Sequence, residues 1–116
     1  MADTFGEKLR ELRRLKDISQ RELARQVGVD FSYISKLEND RIPPPAADTI
    51  VRICRVLDVP PDELLALTGK MPSEIKNMLT SHPAAMAFIR TASMMELSEA
   101  EWERLNRELK RLRSPG

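Results

Sequence analysis

Apolar residues recur every three or four positions along most of this chain, a spacing that places them on one face of an α-helix. Aromatic residues make up only 4% of the chain, and the apolar content comes mainly from Leu, Ile, Val, Ala and Met, which favours helices over sheet. We therefore predict an all-α fold. The first five predicted helices span residues 4–16, Ser19 to Gly28, about 31–38, from 48 or 49 onward, and about 60–69.

Capping residues set these predicted boundaries. Thr4 is the expected N-cap of the first helix. Ser19 is the expected N-cap of the second, with Glu22 closing a capping box. Asp30 or Ser32 is expected to cap the third helix.

The most informative stretch runs from Ser19 to Leu37. Leu23, Ala24 and Val27 form one apolar stripe, and Gly28 follows where the chain needs a positive φ to turn. Ala24 is small enough to let two helices cross closely. Two further apolar positions at Ile34 and Leu37 complete the pattern of a helix-turn-helix that reads DNA.

Residues 5–67 resemble the Cro/cI-type (XRE-like) repressor family. The resemblance implies a five-helix, lambda-repressor-like DNA-binding domain, for which we predict the bounds 1–70. This sequence departs from the family at Asp40, where the family usually has glycine, and in the loop 40–47, which is one residue longer and holds three prolines. The matching residues are Ser19-Gln20, Leu23-Ala24, Gly28-Val29, Ile34, Leu37-Glu38-Asn39, Ile50, Leu57-Asp58-Val59 and Asp62-Glu63-Leu64-Leu65.

Arg13 lies four residues after Leu9 and therefore on the buried side of the first helix. A buried arginine needs a partner, because an unpaired buried charge is costly. The resemblance implies that Arg13 pairs with Glu38. The alternative is that its charged end extends to solvent.

The outward face of the third helix holds the candidate DNA contacts. The resemblance implies base contacts by Phe31, Ser32 and Lys36, and Ser35 faces the same way. Lysine can donate to guanine, and phenylalanine can pack on a thymine methyl. The alternative for Lys36 is neutralisation of phosphate alone. The expected phosphate contacts are Gln20, Tyr33, Asn39 and Arg41.

Residues 71–116 lie outside the resemblance. Their apolar spacing predicts a helical dimerisation segment. Helices are expected at 73–79, 83–93 and from a Ser98–Glu101 capping box to about Leu112. So short a segment cannot close a core alone and must pack on the first domain or on a second copy. The Met86–Met95 stretch is either core or an adaptable partner surface. The expected dimerisation residues are Phe88, Ile89, Trp102, Leu105, Leu109 and Leu112.

Composition and motifs narrow the chemistry. The net charge of +1 over 116 residues does not by itself indicate nucleic-acid binding. The single cysteine, Cys54, is expected to be a small buried hydrophobe. The single histidine, His82, is expected to form part of a helix cap. We find no motif for a nucleophile, a cofactor or a metal, no apolar run for a membrane span, and no signal-peptide core. We therefore predict a cytoplasmic protein that is not an enzyme and needs neither cofactor nor metal.

These patterns together predict a sequence-specific transcriptional regulator, most simply a repressor, that binds a near-palindromic operator in double-stranded DNA as a homodimer. One alternative is an antitoxin or other regulatory protein whose C-terminal segment binds a different protein while the DNA-binding domain regulates its own gene. The other is an adaptor that kept the fold and lost DNA binding.

Overall fold

The computed structural model of the protein describes residues 4–114. Within that range the chain is all-helical, with eight α-helices and no strand. The ends of the two predicted domains, residues 1–3 and 115–116, lie outside the described residues. The helices are α1 Phe5–Leu15, α2 Gln20–Val27, α3 Phe31–Glu38, α4 Ala47–Leu57, α5 Asp62–Thr68, α6 Ser73–Ser81, α7 Pro83–Met95 and α8 Glu99–Arg111.

The chain divides into two compact units, Met1–Lys76 and Asn77–Gly116. The junction falls inside α6, whereas the sequence predicted a domain boundary after residue 70. That functional boundary stays a prediction. None of the helices described is long and apolar enough to cross a membrane.

The core of the first unit is formed by the apolar stripes of α1 to α5. Its fully buried side chains include Leu9, Leu23, Ile34, Leu37, Ile50, Ile53, Leu57 and Leu64. Cys54 is packed among them as a small hydrophobe. Burial, with a smaller contribution from the charge of Asp62, raises the pKa of the Cys54 thiol to about 11.

Several helices begin at or near the predicted residues, but not every predicted capping hydrogen bond is present. Thr4 and Ser19 cap α1 and α2 by accepting from the backbone N–H groups of Glu7 and Glu22. The predicted capping box on α2 is half formed, because the Glu22 carboxylate accepts from Arg25 at 2.6 and 2.9 Å. An arginine one turn away offers a charged donor, which is a stronger partner than the Ser19 N–H.

Two further cap predictions need correction. Asp30 is the N-cap residue of α3, but its side chain makes no capping hydrogen bond. The helix α4 begins at Ala47 with Ala46 as N-cap, whereas the predicted start was residue 48 or 49. Asp48 is thereby free to bond elsewhere.

Asp48 anchors the start of α6. Its carboxylate accepts from the Ser73 backbone N–H at 2.9 Å and from the Ser73 hydroxyl at 2.7 Å. These bonds lower the pKa of Asp48. Ser73 is the first residue of α6, so these two bonds hold the helix start to α4. Lys70 Nζ also holds the proline loop, donating to the carbonyls of Pro44 at 3.0 Å and Pro45 at 2.8 Å.

Asp40, the departure from the family pattern, ties the end of α3 to the start of α1. It adopts the left-handed conformation, with φ 55°, at the position where the family uses glycine. Its carboxylate accepts from the Gly6 N–H at 2.9 Å and the Thr4 hydroxyl at 2.6 Å. The strain of the aspartate is thus offset by two hydrogen bonds that glycine cannot make.

The second unit holds the end of α6 together with α7 and α8. The predicted capping box on α8 is present, with Ser98 and Glu101 bonding each other's backbone N–H. The helix α7 extends to Met95, two residues beyond the prediction. His82 occupies the N-cap of α7 without a side-chain cap, and its ring Nδ1 lies 2.9 Å from the Met78 carbonyl oxygen.

Candidate nucleic-acid interface

The turn between α2 and α3 sets the geometry of the candidate interface. Gly28 adopts φ 87°, and the N–H groups of Gly28 and Val29 both donate to the Ala24 carbonyl, at 2.9 and 3.0 Å. The Ala24 side chain is buried where the two helices approach each other. The structure therefore contains the short turn and small contact residue that the sequence predicted.

The outward face of α3 contains the predicted base-contact residues. Ile34 and Leu37 are buried, so the opposite side of this helix faces solvent. Phe31 is 39% exposed, and Ser32 and Lys36 are also exposed. Ser35 is only half-buried in the same helix, and its carbonyl accepts from the Asn39 side chain at 2.8 Å.

The predicted phosphate-contact residues differ in burial and in hydrogen bonding. Gln20 is half-buried and its side-chain amide donates to Glu38 at 2.9 Å. Tyr33 is half-buried against the core. The Asn39 carbonyl oxygen accepts from Arg10 at 2.8 Å. Arg41 is exposed, so its guanidinium is accessible to a phosphate.

Glu38, at the end of α3, is the centre of a buried hydrogen-bond network. Arg13 donates to both its carboxylate oxygens, at 2.6 and 3.0 Å, in the two-pronged geometry that a guanidinium favours. Gln20 donates a third bond at 2.9 Å, and Arg10 approaches at 3.4 Å. The remaining Arg13 bond goes to the Ile18 carbonyl at 2.8 Å.

This network determines the charge state of Glu38. Burial alone would raise the pKa of Glu38, but the hydrogen bonds from Arg13 and Gln20 outweigh it and hold the pKa below its usual value. Glu38 is therefore a carboxylate at neutral pH.

Several arginines beside α3 were not singled out in the sequence. Arg10, Arg14 and Arg21 are among them, and Arg10 and Arg14 share one side of α1 because they lie four residues apart. That spacing was the signal available. A shallow depression of the first unit is lined by Arg10, Arg13, Arg14, Ser19, Gln20, Arg21 and Phe31. Arg13 is neutralised by Glu38, but Arg14 and Arg21 are exposed and no acidic residue lines the depression, so this surface attracts an anion.

An apolar groove of about 530 Å³ lies in the second unit. All six predicted dimerisation residues line it, together with Met78, Leu79, Ala85, Asn106 and Glu108. Trp102 and Leu105 are half-buried, whereas Leu109 and Leu112 are 64% and 76% exposed. The predicted seam of α8 therefore forms a single surface with part of α7.

Comparison with known proteins identifies the family. Residues 9–64 match the family model described as helix-turn-helix. The uncharacterized HTH-type transcriptional regulator RghRB of Bacillus subtilis (strain 168) is 30% identical over an alignment of 113 residues that covers 90% of this chain and 81% of the relative. The chain belongs to the helix-turn-helix family of transcriptional regulators. The HTH-type transcriptional repressor RghR of the same organism is 28% identical over 114 residues, covering 91% of this chain and 82% of the relative.

Solved structures agree with this assignment. The chain is similar to SinR, described as the master regulator for biofilm formation, in a crystal structure with DNA, with 32% identity and a TM-score of 0.51 over 53% of this chain and 98% of that one. A SinR/SinI complex shares the fold over 92% of this chain and 95% of the other, at 24% identity and a TM-score of 0.52. The predicted family, all-α fold and DNA-binding regulatory function are confirmed. The individual DNA contacts and the homodimer stay predictions.

Proposed function

We propose that this regulator is a repressor that binds a near-palindromic DNA duplex as a homodimer, with α3 of each copy in the major groove. The observation that supports this docking is the exposed face of α3, with Phe31, Ser32 and Lys36 beside an arginine-lined depression. Its similarity to SinR, crystallised with DNA, and to RghR, named a transcriptional repressor, also supports it.

Each part of this surface has a distinct chemical role in the proposal. Lys36 donates to guanine O6 or N7, Ser32 donates or accepts at a base edge, and Phe31 packs on a thymine methyl. The arginines of α1 and α2 neutralise phosphates and set the register of the protein on the duplex. Two copies related by a two-fold axis place their α3 helices about 34 Å apart, in successive major grooves.

Lys36→Ala and Arg14→Ala, measured on duplexes selected from a random library, separate base readout from phosphate binding. Lys36→Ala is expected to cost about 1–3 kcal/mol on the best duplex and to relax preference at one base pair. Arg14→Ala is the matched control, because it removes one charge from the depression. It should weaken all duplexes about equally and reduce the salt slope by about one.

Two results would contradict the proposed docking. One is a Lys36→Ala variant that binds as tightly and selectively as the natural chain. The other is a natural chain without salt-dependent affinity for any duplex, which would favour the adaptor alternative.

The apolar groove of the second unit supports the proposed homodimer. Large apolar side chains such as Leu109 and Leu112 are rarely left this exposed together unless another surface covers them. A two-fold interface brings identical patches together, so the α8 seams of two copies complement each other. Each fully buried large apolar side chain contributes about 1.5–3 kcal/mol, and several per copy can exceed the entropic cost of association.

Sedimentation of Leu105→Glu combined with Leu109→Glu tests the homodimer. The double variant should be a folded monomer whose affinity for a two-half-site duplex falls steeply, because the second half-site no longer binds in the same event. Met94→Glu is the matched control: Met94 is 79% exposed on α7 but does not line the groove. It should remain a dimer.

A natural chain that is monomeric at tens of micromolar, or a double variant that still dimerises, would refute this interface. An unrelated protein that purifies with the chain in equal amounts, and is lost in the double variant, would support the partner-binding alternative instead.

A further inference from the structure

One contact between exposed side chains joins the start of α2 to the start of α3. The guanidinium carbon of Arg21 lies 4.4 Å from the centroid of the Phe31 ring. Arg21 is the second residue of α2 and Phe31 the first residue of α3. A cation at this distance from an aromatic face is attracted to it, so the contact holds the ring and the guanidinium together.

Arg21 differs in this respect from Arg25, the arginine one turn further along α2. Arg25 donates to the Glu22 carboxylate at 2.6 and 2.9 Å, so its hydrogen-bonding edge is occupied by an acid. Arg21 is exposed, packs on Phe31, and shares the lining of one depression with Arg10 and Arg14. A guanidinium stacked on a ring keeps its N–H groups in the plane, where they can meet a phosphate oxygen.

We infer that Arg21 is a positioning residue for base readout: it fixes the Phe31 ring for a thymine methyl while its own edge binds the adjacent phosphate. This inference rests on the proposed docking of α3. A methyl–ring contact has no strong directionality, so its selectivity depends on a ring that is held in place before DNA binds. The Arg21–Phe31 contact would therefore couple phosphate binding by α2 to base recognition by α3.

Replacement of thymine by deoxyuridine tests this directly, since it removes only the C5 methyl group. The probe is the tightest-binding duplex that the full-length chain selects from a random library, with each thymine replaced in turn. For the natural chain, we expect one thymine per half-site whose replacement lowers affinity about fourfold, the value of one buried methyl-sized group.

Four variants on that probe separate positioning from charge. Arg21→Ala and Phe31→Ala should each abolish most of the fourfold uracil effect, and the double variant should lose no more of it than either single variant. Arg14→Ala is the charge-matched control, which should lower overall affinity and the salt slope while keeping the fourfold effect. Circular dichroism checks that every variant is folded.

The outcomes distinguish this inference from the proposal beneath it. A uracil effect that survives in Arg21→Ala, or that disappears equally in Arg14→Ala, overturns the positioning role alone. So does a selected duplex in which no thymine is sensitive to replacement. A chain that selects no duplex at all overturns the proposed DNA docking and this inference with it.

Discussion

Removing one partner of the Arg13–Glu38 pair is expected to destabilise the first unit more than most single substitutions. Glu38 has no exposed side-chain surface and Arg13 only 11%, and their shortest contact is 2.6 Å. Arg13→Met removes the cation and retains much of the apolar stem. Glu38→Leu removes the carboxylate and retains a side chain of similar volume.

The expected cost follows from the partners left behind. Breaking a buried ion pair costs about 3–5 kcal/mol, because one charge stays in a poorly hydrated site. In Arg13→Met, Gln20 at 2.9 Å and Arg10 at 3.4 Å still face the carboxylate, so the cost should fall near the lower end. A small domain has about 5–15 kcal/mol of stability in total, so such a loss is substantial.

Urea unfolding of the full-length chain, followed by circular dichroism at one fixed protein concentration, measures these costs. Fixed concentration keeps any contribution from dimerisation the same for every variant. The combined Arg13→Met and Glu38→Leu variant should recover at least half of the larger single loss, since no charge of the pair is then stranded.

The Glu22–Arg25 pair provides a matched control, with the same 2.6 Å shortest contact but side chains that are 39% and 71% exposed. Breaking this exposed pair should cost far less than breaking the buried pair, because solvent screens its charges. Single Arg13 or Glu38 variants within about 0.5 kcal/mol of the natural chain would refute the reasoning, because that is the scale of ordinary surface changes.

Three further predictions follow from burial and close packing. The pKa of Glu38 is lower in the folded than in the unfolded chain, so the stability contributed by its carboxylate is complete above the unfolded pKa of about 4.3 and is lost as pH falls. The free energy of unfolding, measured in urea at several acidic pH values, should therefore fall more steeply with pH for the natural chain than for the combined Arg13→Met and Glu38→Leu variant. Gly6→Ala should cost about 1–3 kcal/mol in urea, because the new methyl would lie 2.5 and 2.6 Å from the Leu37 and Glu38 carbonyl oxygens; an unchanged midpoint would contradict this packing. The Cys54 thiol, with its pKa of about 11, should react with iodoacetamide at pH 8 about a hundredfold more slowly in the folded chain than in urea, and equal rates would contradict its burial.

Local sequence determined much of the DNA-reading element. The helix α3 occupies Phe31–Glu38, the predicted range, because Gly28 ends the preceding helix and two apolar positions define the buried side. The predicted cap at Ser19 is likewise present, since a side chain and the N–H three residues later are brought together by the helix itself.

Two hydrogen bonds between residues far apart in the sequence could not be predicted from the spacing of residue types. Asp40 bonds the Gly6 N–H across 34 positions, and Arg10 bonds Asn39 across 29. No spacing along the chain encodes either contact, because both depend on how α1 packs against the end of α3. The choice of Glu22 between Ser19 and Arg25 was also open, since both partners lie within one helical turn.

The Glu38 carboxylate connects the stability of the first unit with the proposed DNA docking. It lies at the end of α3 and accepts hydrogen bonds from Arg13 on α1 and Gln20 at the start of α2. It therefore fixes the outward side of α3, proposed to face bases, relative to the N-terminus of α2, where phosphate is expected to bind. A hydrophobic replacement of the ion pair can restore stability, but it leaves the Gln20 amide without this acceptor. A buried carboxylate at this position is thus best explained by the geometry it imposes on three helices, since a well-packed apolar pair could supply comparable stability.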